Sequence, residues 1–164
     1  MLGIAYRGVA FPLLFSLLDK RGNSNCEERI QLVNRFIRLF GIECIDCIMA
    51  DREFVGEKWI AFLNNQKLRY YIRIRNNFKV FLPSKGRTIP VSWLFIGLKV
   101  GEIKHYPKIV KINGQYCYLS ATLSQKRGEK PELLIIISYN KSEQSFLNYK
   151  ERWQIELRSI SRIP

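Results

Sequence analysis

The first apolar stretch, residues 2–18, breaks near "RGVAFP" and predicts two short strands. The polar loop "DKRGNSN" follows, and Ser24 with Glu27 three residues later has the spacing of a capping box. Ile30, Val33, Phe36, Ile37 and Phe40 then recur at helical spacing, with Glu27, Glu28, Arg29, Arg35 and Arg38 largely on the other side. Gly41 ends that helix. Residues 42–50 are nearly all apolar, as in a strand covered on both faces. A short helix over residues 55–65 brings Trp59, Ile60, Phe62 and Leu63. In "LRYYIRIR", residues 68–75, Tyr70, Ile72 and Ile74 alternate with Tyr71, Arg73 and Arg75, the two-residue period of a strand. The order strand–strand–helix–strand–helix–strand predicts an α/β fold.

From residue 76 to 147 the pattern changes. "KVFL", "VSWLFIGLKV", "KIVKI" and "QYCYLSATL" are short strand-like runs between Gly, Pro and Asn, and "ELLIIIS" reads as a buried strand. Asn113-Gly114 is a two-residue hairpin signal. These residues are expected to form a β-rich insertion, with 1–75 and 148–164 together making the part into which it is inserted. The last element starts at Asn148 and sets Tyr149, Arg152 and Glu156 at i, i+3 and i+7, on one face of a helix.

Charge sharpens the picture. The 27 Lys and Arg outnumber the 14 Asp and Glu, giving +13 and a pI near 9.8, which favours a polyanionic partner, nucleic acid first. The basic residues are interleaved with aromatics through the chain, as in "KLRYYIRIRNNFKVF", which suits a broad phosphate-tracking surface. Arg73, Arg75, Lys85 and Arg87 are the residues expected to contact DNA there. An anionic membrane surface fits less well, because no basic amphipathic helix is present in the sequence.

Cysteine adds little. Cys44 and Cys47 have C-x-x-C spacing, but in a strand residues three apart point to opposite faces, so no metal pair is expected. Four scattered cysteines suggest a reducing, cytoplasmic setting. Residues 9–18 are too short an apolar run to span a membrane and are interrupted by Pro12.

Asp51, one of only three Asp in the chain, ends the apolar run of residues 42–50. It either presents a carboxylate at the rim of a sheet or N-caps the structure that follows.

"ADREFVGEKWI" and "YKERWQIE", in that order and with a β-rich stretch between them, resemble bacterial insertion-sequence transposases of the DDE type. The second block matches their Y-x2-R-x3-E signature, and "KRGNSN…E" resembles the loop before the preceding helix. The resemblance runs from Leu2 to Glu156. It implies a ribonuclease-H-like mixed sheet with a β-rich insertion before the last helix, and metal-dependent DNA cleavage and strand transfer. It also implies two Mg2+ ions held by Asp, Asp and Glu, with Asp51 matching the second acid and Glu156 the third. Tyr149 and Arg152 match residues that face the DNA end near the cleaved phosphate. The implied partners are transposon-end and target DNA, and an active member works as a homodimer.

Two departures qualify what the resemblance implies. The family's first Asp lies on the first, central strand, and neither Asp19 nor Asp46 fits that position. The signature continues with a Lys where this chain has Ile163. The chain is therefore expected to be a fragment without the central strand, inactive alone. The alternative is a non-catalytic basic DNA-binding remnant.

Overall fold

The structure is a computed structural model that describes residues 2–6, 9–15, 24–125, 128–141, 146 and 149. The chain divides into two compact units, Met1–Asp46 with Leu147–Pro164, and Cys47–Phe146. The described residues are α/β, with two α-helices and a mixed sheet of many strands.

In the first unit, β1 (Leu2–Tyr6) and β2 (Val9–Leu14) pair antiparallel as a two-stranded sheet. Gly3 faces Pro12, and a Cβ there would sit 2.9 Å from the Phe11 carbonyl oxygen, so a side chain would disturb the pairing. Helix α1 (Cys26–Phe40) buries Val33 and Phe36 and ends at Gly41, whose φ of 87° favours glycine. Its cap lies one residue beyond the expected Ser24. The Asn25 side chain accepts from Glu28 N at 2.9 Å, and the Glu28 carboxylate accepts from Asn25 N at 2.7 Å. Both pairs have capping spacing, but Asn caps at least as well as Ser, and Ser24 instead accepts from Arg29 Nε.

The strand expected over residues 42–50 is much shorter. Ile42–Cys44 form a 3-10 turn directly after Gly41, with Ile45 N donating to Ile42 O. Only β3 (Ile48–Ala50) forms a strand, because only that length is paired to β4 (Tyr70–Ile74). Cys44 therefore sits in a turn, and its thiol donates to Phe40 O rather than pointing from a strand face.

The second unit is built on an eight-stranded sheet. Its remaining strands are β5 (Lys79–Leu82), β6 (Arg87–Pro90), β7 (Ile103–His105), β8 (Val110–Ile112), β9 (Gln115–Ser124) and β10 (Glu132–Ser138). The order is β3-β4-β10-β9-β8-β5-β6, with β7 also paired to β9. Strands β3 and β4 are parallel and joined through helix α2 (Glu57–Asn65), and all the other pairings are antiparallel. Strand β4, upstream of residue 76, thus pairs directly with β10 downstream of it. One sheet runs through both stretches.

The alternation expected in β4 is lost at Tyr71, which is buried with Tyr70 and Ile72 because β4 is an interior strand. The hairpin at Asn113-Gly114 has φ of 47° and 77°, the left-handed pair that a tight β8–β9 turn requires. "VSWLFIGLKV" is not a strand. Val91–Phe95 form a 3-10 turn that buries Val91 and Phe95, four residues apart, while Trp93 and Ile96 face solvent. Pro90 precedes that run, and Gly97 and Gly101 have positive φ, so it cannot stay extended.

Helix α2 buries Trp59, Ile60 and Leu63. Its Asn64 side chain donates to Tyr116 O and accepts from the Tyr70 hydroxyl, both at 3.2 Å. Burial, reinforced by Cys117 and Tyr139, raises the Tyr70 phenol well above its ordinary range. Burial also pushes the Cys117 thiol from 9.0 up to about 12. Between those values the folded chain holds a proton that the unfolded chain has released, so this thiol's contribution to stability is complete below pH 9 and is lost as pH rises toward 12. At pH 8, iodoacetamide is expected to label exposed Cys44 and to leave Cys117 unmodified until denaturant is added. Peptide mass spectrometry checks this, and labelling of Cys117 at the Cys44 rate would contradict its burial.

Candidate nucleic-acid interface

Asp51 lies at the carboxyl end of β3, where parallel α/β units present their ligand-binding groups. One carboxylate oxygen accepts from Arg52 N at 2.7 Å, capping the 3-10 turn Arg52–Phe54. Both roles suggested by the sequence, rim acid and cap, are therefore compatible at this position. The other oxygen has no hydrogen-bond partner among the described residues.

The parallel register of β3 with β4 ends at the pair Ala50 and Ile72, the residues just before Asp51 and Arg73. Arg73 leaves β4 on the sheet face it shares with Ile136, directly opposite on β10. Two-residue steps along β10 put Glu132 on that same face. The Arg73 guanidinium reaches Glu132 and donates to its carboxylate.

Around that pair, Arg52, Arg73, Arg75, Asn76, Asn77 and Glu132 line a cavity of about 240 Å³. Three arginines and one glutamate are among its lining residues, and two asparagines add neutral donors, so its charge suits an anion rather than a cation. At about 30 Å³ per water, it has room for a phosphate group and some of its hydration.

The expected DNA-contacting residues separate into two places. Arg73 and Arg75 come together in this cavity. Lys85 and Arg87 are exposed at the far side of the sheet, at the turn into β6, with β10, β9, β8 and β5 between them and β4. Tyr149 is buried, with 6% of its surface exposed. Arg152 and Glu156 lie outside the described residues, as do Asp19 and Ile163.

Among the described residues, no three His, Cys, Asp or Glu side chains form a group that could hold a metal ion. Asp51 supplies one hard carboxylate oxygen of the kind Mg2+ takes. Glu156, its expected co-ligand, is among the residues not described.

Arg52, Asn76, Asn77 and Glu132 escaped the sequence reading. Arg52 adjoins Asp51 and was visible in "ADREF". Glu132 becomes relevant only through the β4–β10 pairing, which no local pattern reveals.

No protein-family model matches this chain, and no curated protein matches it. No described helix is long and apolar enough to cross a membrane.

Proposed function

We propose that this chain belongs to the catalytic part of a DDE-type insertion-sequence transposase and acts on DNA. One observation supports this reading most. A carboxylate at the carboxyl end of a parallel strand, Asp51, is followed directly by Arg52, which lines a cavity with Arg73 and Arg75. Metal-dependent phosphodiester cleavage is served by such an arrangement, in which a hard-cation ligand lies near groups that can fork onto phosphate. The parallel β3–α2–β4 unit and the antiparallel strands after it suit a ribonuclease-H-like sheet with a β-rich insertion. Strand β3 ends its sheet, at the edge where that fold sets its first strand.

Bound Mg2+ would supply activation of the attacking hydroxyl and stabilisation of the departing oxygen. In this reading Asp51 and Glu156 hold metal, while the arginines bind and orient the phosphate. With only two of the family's three acids matched in this sequence, the chain by itself is expected to bind DNA without cutting it. A non-catalytic DNA-binding role is the second reading, in which the capping bond from Arg52 N accounts for Asp51 without any metal.

Localised oxidation separates the two. Fe2+ with ascorbate, replacing Mg2+, should cleave the polypeptide near both Asp51 and Glu156, although 105 positions separate them. Excess Mg2+ should suppress both cuts, and Asp51→Asn or Glu156→Gln should each abolish them together. Cleavage at neither position, or at one regardless of the other acid, would leave the non-catalytic reading.

A further inference from the structure

Glu132 is out of place on electrostatic grounds. It is an acid in a cavity that three arginines also line, in a chain with an excess of 13 positive charges. Its pairing with Arg73 is unequal. The Arg73 side chain is 16% exposed and projects from an interior strand, whereas that of Glu132 is 57% exposed at the start of β10. The arginine is the fixed half of the pair, and the carboxylate can swing into solvent at little cost to itself, leaving a largely buried guanidinium that needs another anion in its place. A carboxylate and a phosphodiester both offer paired oxygens to the guanidinium fork, so one can take the other's position. Arg52 and Arg75 form no ion pair among the described residues, which leaves two further cations to draw an incoming phosphate.

We propose that Glu132 is an internal stand-in for a nucleic-acid backbone phosphate: it occupies Arg73 in the free protein and is displaced when DNA enters the cavity. This exchange rests on the DNA-binding reading above and adds regulation to it. Glu132 lowers affinity for DNA that lacks the geometry to reach Arg73, and selects for a strand whose phosphate enters the cavity.

The test is fluorescence anisotropy of the full chain with a labelled 20-base-pair duplex at several NaCl concentrations. Glu132→Gln retains the shape of the side chain and removes its charge, and should tighten binding about fivefold, the scale of a partly exposed ion pair. Glu129→Gln, an equal charge change in the neighbouring loop and outside the cavity, should alter affinity less than about twofold on the same scale. In an Arg73→Ala background, Glu132→Gln should lose its advantage and match Glu129→Gln. Thermal unfolding of each variant checks that the fold is retained. If the duplex binds with a steep salt dependence but Glu132→Gln gains no more than Glu129→Gln, or gains equally without Arg73, the exchange is wrong and the DNA reading stands. If the unaltered chain fails to bind the duplex even at low salt, the DNA reading falls and takes the exchange with it.

Discussion

Ile135→Ala is expected to lower the unfolding free energy by about 3–4 kcal/mol, a large part of the roughly 5–15 kcal/mol that holds a domain folded. Ile135 is fully buried in β10 and lies directly opposite Ile74 on β4 and Ala121 on β9. The next pair along, Ile137 with Ile72 and Leu119, lies on the same face and is equally closed to solvent. Truncation leaves a void whose cross-strand neighbour on one side, Ala121, is too small to fill it. The backbone around it is pinned by ladders on both sides. Limited relaxation is what moves such a substitution toward the costly end of its range. Urea unfolding should show a lower midpoint with an unchanged slope, the signature of lost packing rather than a changed denatured state. A loss below about 1 kcal/mol would mean that the strands around Ile135 can close the gap.

Much of this core was legible in the sequence because its signals are local. The "ELLIIIS" run, the alternation of "YYIRI" and the Asn113-Gly114 turn each specify an element within a few residues, and β10, β4 and the β8–β9 hairpin are where these signals point. The readings that failed were those in which composition stood in for geometry. Residues 42–50 are apolar enough for one strand, but Gly41 turns the chain into a 3-10 turn and β4 offers a pairing edge only to Ile48–Ala50. The run beginning at Val91 is as apolar, yet it buries Val91 and Phe95 while exposing Trp93 midway between them, and a strand would put all three on one face.

The candidate site was half legible for a similar reason. Asp51, Arg73 and Arg75 stand out as residue types, whereas the meeting of Arg73 with Glu132 depends on a pairing of strands more than 50 residues apart. The sequence grouped Arg73, Arg75, Lys85 and Arg87 as one surface because they are near in the chain. Sheet order sends the two pairs to different places.

That separation sets up the second large effect. Replacing Arg52, Arg73 and Arg75 together by alanine should weaken duplex binding on the order of a hundredfold at moderate salt, since each charge-assisted contact to phosphate is worth at least about 1 kcal/mol. The salt dependence decides whether those losses are true phosphate contacts. If each arginine neutralises one phosphate, the log–log slope against salt should become shallower by about 2.7, from roughly 0.9 per contact. Lys85→Ala with Arg87→Ala removes two exposed cations across the sheet and should reduce the slope by at most about 1.8 on the same rule. The two sets share no partner among the described residues, so their effects on binding free energy should add within about 0.5 kcal/mol. Five duplexes of unrelated sequence should give nearly equal affinities, because arginines on phosphate read no bases. The cavity would lose its role if the triple variant kept the full slope while the Lys85 and Arg87 variant lost it, which would move the DNA interface to the β5–β6 end of the sheet. An affinity that stays flat as salt rises would remove DNA from the reading altogether, whatever the net charge of the chain.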